Sequence, residues 1–339
     1  MATATSDEIT VSFYSMQELL SEQHSSVFQH YNREIRDLSK GFIPPHALPT
    51  IDMNAVDLQK LHSACVEWGF FQIVNHGVSA SLAAKTKAAT EEFFLLPSEE
   101  KLKYKIPAGR FDGYGNVVRG DGKYDWCERF YAQTNPKGKR TMFNELPSFL
   151  RDTLDDYLAE MQKVVMKLVK LLGEALEIDI VGMFDDGFQS LRLNFYPPCP
   201  QPDSVMGNIN HSDINGITIL DQLNGVNGFE IKKDGEWVKT TVRNDALLVN
   251  VGDIFEIMSN GVYKSVEHRA MVNSERVRIT AALFVSPKLE AEIGPMATPF
   301  DSNSPPLFQT VSVENYVNDF FTRKLAGKSN LDYYRKVQL

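Results

Sequence analysis

The chain has 339 residues, 43% of them hydrophobic and 23% charged, with 44 acidic against 35 basic side chains and a net charge of -9. Such a length allows about two domains or one enlarged β domain, and an acidic surface without a basic run is repelled by a phosphate backbone, so no nucleic-acid partner is expected. No stretch approaches the roughly 18–20 apolar residues of a membrane helix, no secretory signal opens the chain, and the three cysteines Cys65, Cys127 and Cys199 supply no disulfide or zinc framework, so a cytoplasmic protein is expected.

Residues 1–46 read as a leader that ends in Pro44-Pro45. A second region, 47–150, reads as an α/β segment packed on the core. It opens with a short strand at Thr50-Ile51-Asp52 and a helix from Asp57 to Val66, where Leu58, Leu61, Cys65 and Val66 recur at helical spacing. Trp68 to Val78 is an apolar strand stopped by Asn75-His76-Gly77. Helical pattern resumes through SASLAAKTKAATEEFFLL, and Pro97-Ser98-Glu99-Glu100 starts another helix. The Gly-rich stretch 107–125 is expected to be loop.

The third region, 151–339, holds a core, a long supporting helix and a helical tail. The long helix follows Pro147-Ser148, with Leu154, Tyr157, Leu158, Met161, Val165, Leu168 and Leu172 on one stripe. From about Leu191 short strand-like runs alternate with turns: SLRLNFY, ITILDQL, FEIKK, EWVKTT, ALLVNVG, SVEHRAM and VRITAALFVS. Short strands at that spacing predict an antiparallel sandwich or barrel, with the helices outside it.

Nucleotide loops and the His-Glu-x-x-His motif are absent. Among the seven histidines, His211 stands two residues before Asp213, and residues two apart in extended chain share a side. His268, in SVEHRAM, can return antiparallel beside them. Two imidazoles and one carboxylate form the facial set of non-haem Fe(II) oxygenases. Zinc hydrolases use similar ligands, and a turn histidine beside a capping aspartate remains the plain alternative. Arg278 and Thr280 share one face of the apolar VRITAALFV. A guanidinium aimed into a barrel needs an anion: either a ligand carboxylate, which its fork fits, or an internal carboxylate such as Asp253 or Glu256.

Taken together, LPTIDM, WGFFQIVNHGV, FFLLPSEEKLKY, NFYPPCPQP, the His-Ser-Asp segment, NVGDIFEIMSNGVYKSVEHRAMVN and RITAALF resemble the plant 2-oxoglutarate- and Fe(II)-dependent dioxygenases. The likeness runs from about Leu48 to the C-terminus. HSDINGITIL, Asp125-Trp126 and RKLAGKSNLD are most similar to the codeine and thebaine O-demethylase and norcoclaurine-synthase-like branch.

This resemblance implies a mainly β fold with α decoration: a double-stranded β-helix (jelly-roll) core flanked by N-terminal helices. It implies Fe(II) held by His211, Asp213 and His268, 2-oxoglutarate anchored by Arg278 and Thr280 and hydrogen-bonded by Asn194 and Tyr196, dioxygen as oxidant, and ascorbate as an aid. The family usually has Ser where Thr280 stands; turn chemistry before Pro197-Pro198 would equally account for Asn194 and Tyr196. The implied activity is hydroxylation or O-demethylation of a small specialised metabolite such as an alkaloid or phenolic, by a monomer.

Tyr114, Trp126, Phe130 and Phe284 are candidate substrate walls, and Asp221 a candidate partner for a cationic amine, against a charge facing water at a strand end. His76 has no assigned role; His24, His30, His46 and His62 are expected at the surface. The competing readings are an iron enzyme that does not use 2-oxoglutarate, whether oxidase or condensing enzyme, and a non-enzymatic jelly-roll binding protein.

Overall fold

A computed structural model describes residues 28–33, 41–43, 48–107, 110–116, 121–300, 304–322 and 328–336. Most of the 1–46 leader, including His24 and His46, lies outside the described residues. Two sheets face each other. The larger has eight strands in the order β2 (Thr50–Asp52), β3 (Phe70–Val74), β11 (Leu247–Val251), β8 (Ile217–Asp221), β13 (Arg278–Val285), β6 (Gln189–Tyr196), β5 (Glu128–Asn135) and β4 (Gly113–Gly115). The smaller runs β1 (Gly41–Ile43), β10 (Glu236–Thr240), β9 (Phe229–Lys233), β12 (His268–Ala270) and β7 (Asn208–His211). In chain order β8, β11 and β13 of the large sheet interleave with β7, the β9–β10 hairpin and β12 of the small one, which is the jelly-roll winding; a two-stranded ribbon, β14 (Glu292–Ile293) with β15 (Val311–Ser312), stands apart.

Three long helices cover the outer face of the large sheet. Helix α1 (Leu58–Glu67) begins where the Asp57 carboxylate accepts the Lys60 N–H, and α2 (Ala80–Leu95) where the Ser79 hydroxyl accepts the Leu82 N–H, each side chain satisfying an otherwise orphaned donor. Helix α3 (Ser148–Leu176) is 29 residues long and ends where Glu177 turns left-handed at φ 57°. Its buried stripe, Leu154, Tyr157, Met161, Val165, Leu168 and Leu172, joins Leu191, Leu193, Ile217, Ile219, Val249, Ile279 and Leu283 in one core. Those sheet residues occupy every second position of their strands, so the intervening ones face the small sheet. There a second apolar cluster of Phe70, Leu248, Phe229, Ile231 and Val242 closes one end of the space between the sheets. The other end is polar.

Two expectations need correction. The 107–125 stretch is not all loop: Gly113–Gly115 pairs antiparallel with Tyr131–Arg129 as the sheet's edge. Strand β5, which the sequence did not announce, carries polar residues at both phases (ERFYAQTN), yet Glu128, Phe130, Ala132 and Thr134 are the buried set. Burial of Glu128 is possible because Lys101 Nζ lies 2.8 Å from it, both side chains fully buried, and the Tyr114 hydroxyl donates to the same oxygen at 2.5 Å. SVEHRAM narrows to the three residues His268–Ala270. The C-terminal tail is helical over α4 (Val313–Thr322) and again at Ser329–Tyr333.

Candidate active site

Strand pairing assembles the metal ligands. β7 and β12 run antiparallel with His211 directly opposite His268, and the imidazole centroids are 4.3 Å apart. Asp213 lies in the turn just past the end of β7, so it shares the side of His211 through a turn and not through an extended strand. Its two carboxylate oxygens sit 3.6 Å from His211 Nε2 and 3.6 Å from His268 Nε2, and one ligand atom from each of the three residues fits within 4.8 Å. Each histidine's Nδ1 is engaged by a backbone carbonyl, Ile209 at 2.7 Å and Val266 at 3.1 Å. That contact fixes the proton on Nδ1 and leaves each Nε2 as the acceptor, with Asn208 Nδ2 donating to that of His211 at 3.3 Å where a metal would bind.

Asp213 is held as an anion. Burial alone would raise its pKa, but His268 and His211 beside it, with hydrogen bonds from Thr218 and Asn250, bring it down to about 2. Thr218 Oγ1 donates at 2.6 Å and Asn250 Nδ2 at 2.9 Å, both to Oδ2. One carboxylate behind the turn ties both ligand segments together: Asp253 accepts from Ser212 Oγ (3.3 Å), Ser265 Oγ (2.6 Å) and Tyr316 Oη (3.1 Å), and its N–H binds the Asp213 carbonyl. Burial pushes the Asp253 carboxyl up to about 7. A preset tautomer pair, a low-pKa carboxylate and backbone anchoring fit a divalent iron at this position.

Arg278 begins β13 beside Tyr196 of β6 and is 2% exposed. The internal ion pair considered from sequence does not form. Asp253 is occupied as above, and Glu256 binds Lys328 and Arg335 at 2.8 Å each. The guanidinium instead donates to neutral acceptors, the Val226 carbonyl at 3.1 Å and Gln222 Oε1 at 3.3 Å, and lies 5.1 Å over the Tyr196 ring. Burial lowers its pKa. Asn194 and Tyr196 are strand residues, not turn residues, and Asn194 Nδ2 donates to Thr280 Oγ1 at 3.0 Å across the β6–β13 pair.

The triad, Arg278, Thr280, Asn194, Tyr196 and Phe284 line one cavity. The other sequence candidates are elsewhere. Tyr114 and Phe130 point to the helix layer against Phe93. Trp126 is buried with Tyr31 and donates to the Pro197 carbonyl. Asp221 follows Leu220 on β8 and so faces away from the cavity, half-buried; Tyr157 Oη of α3 donates to it at 3.1 Å. Strand alternation is the reason for Tyr114, Phe130 and Asp221. His62 is not a plain surface residue either, since it stacks on Phe300 at 4.1 Å and meets the Tyr263 hydroxyl; His30 is half-buried.

Sequence reasoning missed Thr218, Asn250, Asn208 and Arg192, all in the cavity wall. Two carried a signal: Asn250 is an isolated amide in an apolar strand, and Arg192 shares the phase of Asn194 and Tyr196.

A jelly roll whose mouth holds a two-histidine, one-carboxylate set defines an Fe(II)-dependent oxygenase. The characteristic sequence pattern of the 2OG-Fe(II) oxygenase superfamily matches residues 187–287, and that of the non-haem dioxygenase in morphine synthesis N-terminal region matches 48–149. Over 337 residues the chain is 40% identical to an oxoglutarate-dependent flavonoid 7-O-demethylase of Ocimum basilicum, covering 95% of this chain and 90% of that one. It is 46% identical over 288 residues to codeine O-demethylase of Papaver somniferum, covering 83% and 80%. The crystal structure of JOX2 in complex with 2OG, Fe and JA superposes with a TM-score of 0.84 at 30% identity over 96% of this chain and 98% of that one. The chain belongs to the plant Fe(II)/2-oxoglutarate-dependent dioxygenases, with Fe(II) and 2-oxoglutarate as cofactor and co-substrate and His211, Asp213 and His268 as the facial triad.

Proposed function

We propose that this dioxygenase oxidises a small specialised metabolite, phenolic or alkaloid, with O-demethylation of an aryl methyl ether as its main outcome. The observation that carries the reading is the kinship, over most of the chain, with demethylases of flavonoid and opiate methyl ethers. Arg278 binds the distal carboxylate of 2-oxoglutarate, and its support is the absence of any carboxylate partner among the described residues for a buried guanidinium. Thr280 adds a hydroxyl to the same carboxylate, and Asn194 fixes the Thr280 rotamer through the 3.0 Å hydrogen bond. Tyr196 forms the floor beneath the guanidinium. Phe284 presents an apolar wall on the triad side of the large sheet.

The bound iron supplies the oxidation, in which dioxygen and 2-oxoglutarate yield succinate, carbon dioxide and an oxygenated substrate carbon. The chain's own residues set the geometry. Asn250 and Thr218 orient Asp213, the Ile209 and Val266 carbonyls orient the two imidazoles, and the surrounding apolar strands keep water out. Oxygenation of an O-methyl carbon gives a hemiacetal, which collapses to formaldehyde and a free hydroxyl. The three free, buried cysteines accord with a reducing, cytoplasmic setting.

The test is a panel of methoxylated flavonoids, simple phenolic ethers and benzylisoquinoline alkaloids, with products followed by mass spectrometry. Formaldehyde and succinate released one to one with loss of a methyl group support the reading. Succinate matched only by ring or chain hydroxylation replaces demethylation with hydroxylation. Product without succinate would instead restore the oxidase or condensing reading.

A further inference from the structure

A second cation faces the cavity without an ion-pair partner among the described residues. Arg192, on β6, is half-buried, its Nε is fully buried without a hydrogen-bond partner, and its guanidinium has no ion pair among the described residues. The Phe284 ring lies 5.1 Å from the guanidinium and leans toward Tyr131 at 6.5 Å. In the sheet, Arg192 stands between Ala282 of β13 and Tyr131 of β5, with Leu220 beyond Ala282. Phe284 neighbours Thr218, the residue that holds Asp213. Arg192 therefore sits on the wall beside the triad, at the level where a substrate must lie.

The co-substrate does not account for this charge. Arg278 is the cross-strand partner of Tyr196, four positions along β6 from Arg192, which at a strand rise of about 3.3 Å separates the two rows by roughly 13 Å. A molecule whose far carboxylate lies on Arg278 and whose near end reaches the triad leaves Arg192 untouched. Charge accounting agrees. A ferrous dication, the Asp213 carboxylate, a dianionic co-substrate and the Arg278 guanidinium cancel, so the Arg192 charge is left over. The acid in the recess next to Arg192, Asp125, has Arg33 Nη1 at 3.5 Å. Asp221, the carboxylate that could have attracted an amine, faces α3. An unpaired cation in a half-dry cavity is costly until an anion arrives.

We propose that Arg192 is a substrate-selecting residue and that the substrate carries an anionic oxygen, a carboxylate or an acidic phenol, on an aromatic frame that packs along Phe284. This deepens the reading given above and rests on it: of the two metabolite classes, acidic phenolics are accepted and cationic alkaloids are not. The guanidinium fork receives the anionic oxygen while the ring beneath it lies along the aromatic wall.

The experiment uses the full chain with Fe(II) and 2-oxoglutarate under anaerobic conditions, where bound 2-oxoglutarate gives a visible charge-transfer band that substrate perturbs. Three probes share one aryl methyl ether: para-methoxycinnamate, its methyl ester and para-methoxyphenethylamine. The acid is expected to perturb the band at a concentration at least about tenfold below the ester, with no response to the amine. Arg192→Gln is expected to bring the acid to the level of the ester while leaving the 2-oxoglutarate titration unchanged, which also shows that the variant is folded; Arg192→Lys is expected to recover part of the difference.

Equal binding of ester or amine, no binding of the acid at millimolar concentration, or an Arg192→Gln variant that binds the acid as before overturns the inference. So does an Arg192→Gln variant that loses 2-oxoglutarate, since Arg192 would then serve the co-substrate. Formaldehyde release is scored separately. An acid that binds through Arg192 without being demethylated leaves this inference standing while the demethylase reading fails.

Discussion

His211 and His268 are cross-strand partners on β7 and β12, with ring centroids 4.3 Å apart and each Nδ1 tied to the carbonyl two residues before it. Backbone hydrogen bonding therefore spaces the two imidazoles before any metal arrives, and the third ligand depends on side chains. Asn250 and Thr218 hold the Asp213 carboxylate from behind. Asn250→Ala is expected to weaken Fe(II) binding by about 10–100-fold, as for other residues that orient a ligand. The check is an anaerobic Fe(II) titration read through the 2-oxoglutarate band, and an unchanged affinity would remove Asn250 from the supporting set.

Arg278 gives the second prediction. Truncating one partner of a buried charged hydrogen-bonded pair costs about 2–5 kcal/mol, so Arg278→Gln should raise the KM for 2-oxoglutarate about 30-fold or more. Iron affinity should remain near that of the parent. Steady-state kinetics with varied 2-oxoglutarate measure the first, and metal titration the second.

The buried Lys101–Glu128 pair, 2.8 Å apart with Tyr114 sharing the carboxylate, fastens the short helix Ser98–Leu102 to β5. Lys101→Met strands a buried carboxylate and should destabilise the fold by about 3–5 kcal/mol. Adding Glu128→Leu should recover much of that loss, since the stranded charge is gone. Urea unfolding of the parent, the single and the double variant closes the comparison, and equal stability of all three would contradict it.

Asp221 predicts a pH dependence. Burial raises its carboxyl to about 6 from an ordinary 3.8, and the Tyr157 hydrogen bond offsets only part of that rise. The folded state thus holds this proton more tightly than the unfolded chain does. Its contribution is complete below about pH 4 and is lost as pH rises through 6. Asp221→Asn should therefore be more stable than the parent at about pH 8, by ~1–3 kcal/mol, with the gain vanishing near pH 4. Thermal unfolding at both pH values checks the sign, and substrate affinity should not move because the side chain lies outside the cavity.

Much of this chain was legible residue by residue. The α3 stripe, the α1 and α2 helices and strands β6, β8, β9, β10 and β13 followed from period and punctuation. Strand β5 was hidden because its buried set includes Glu128 and Thr134, whose burial depends on partners such as Lys101 from a distant helix. Asp221 and Phe130 were placed by motif proximity, and strand phase sent them to the helix layer.

The linear order of residues brought out the His211-x-Asp213 pair, His268, the arginine of VRIT and the run of short strands, because period and residue type can be read along the chain, and the family resemblance gave the metal ligands. Only the tertiary structure decided which face of each strand looks into the cavity, and that among the described residues neither Arg278 nor Arg192 has an internal carboxylate partner. Charge compensation joins residues far apart in the chain, and it becomes visible only when the sheets have closed around the site.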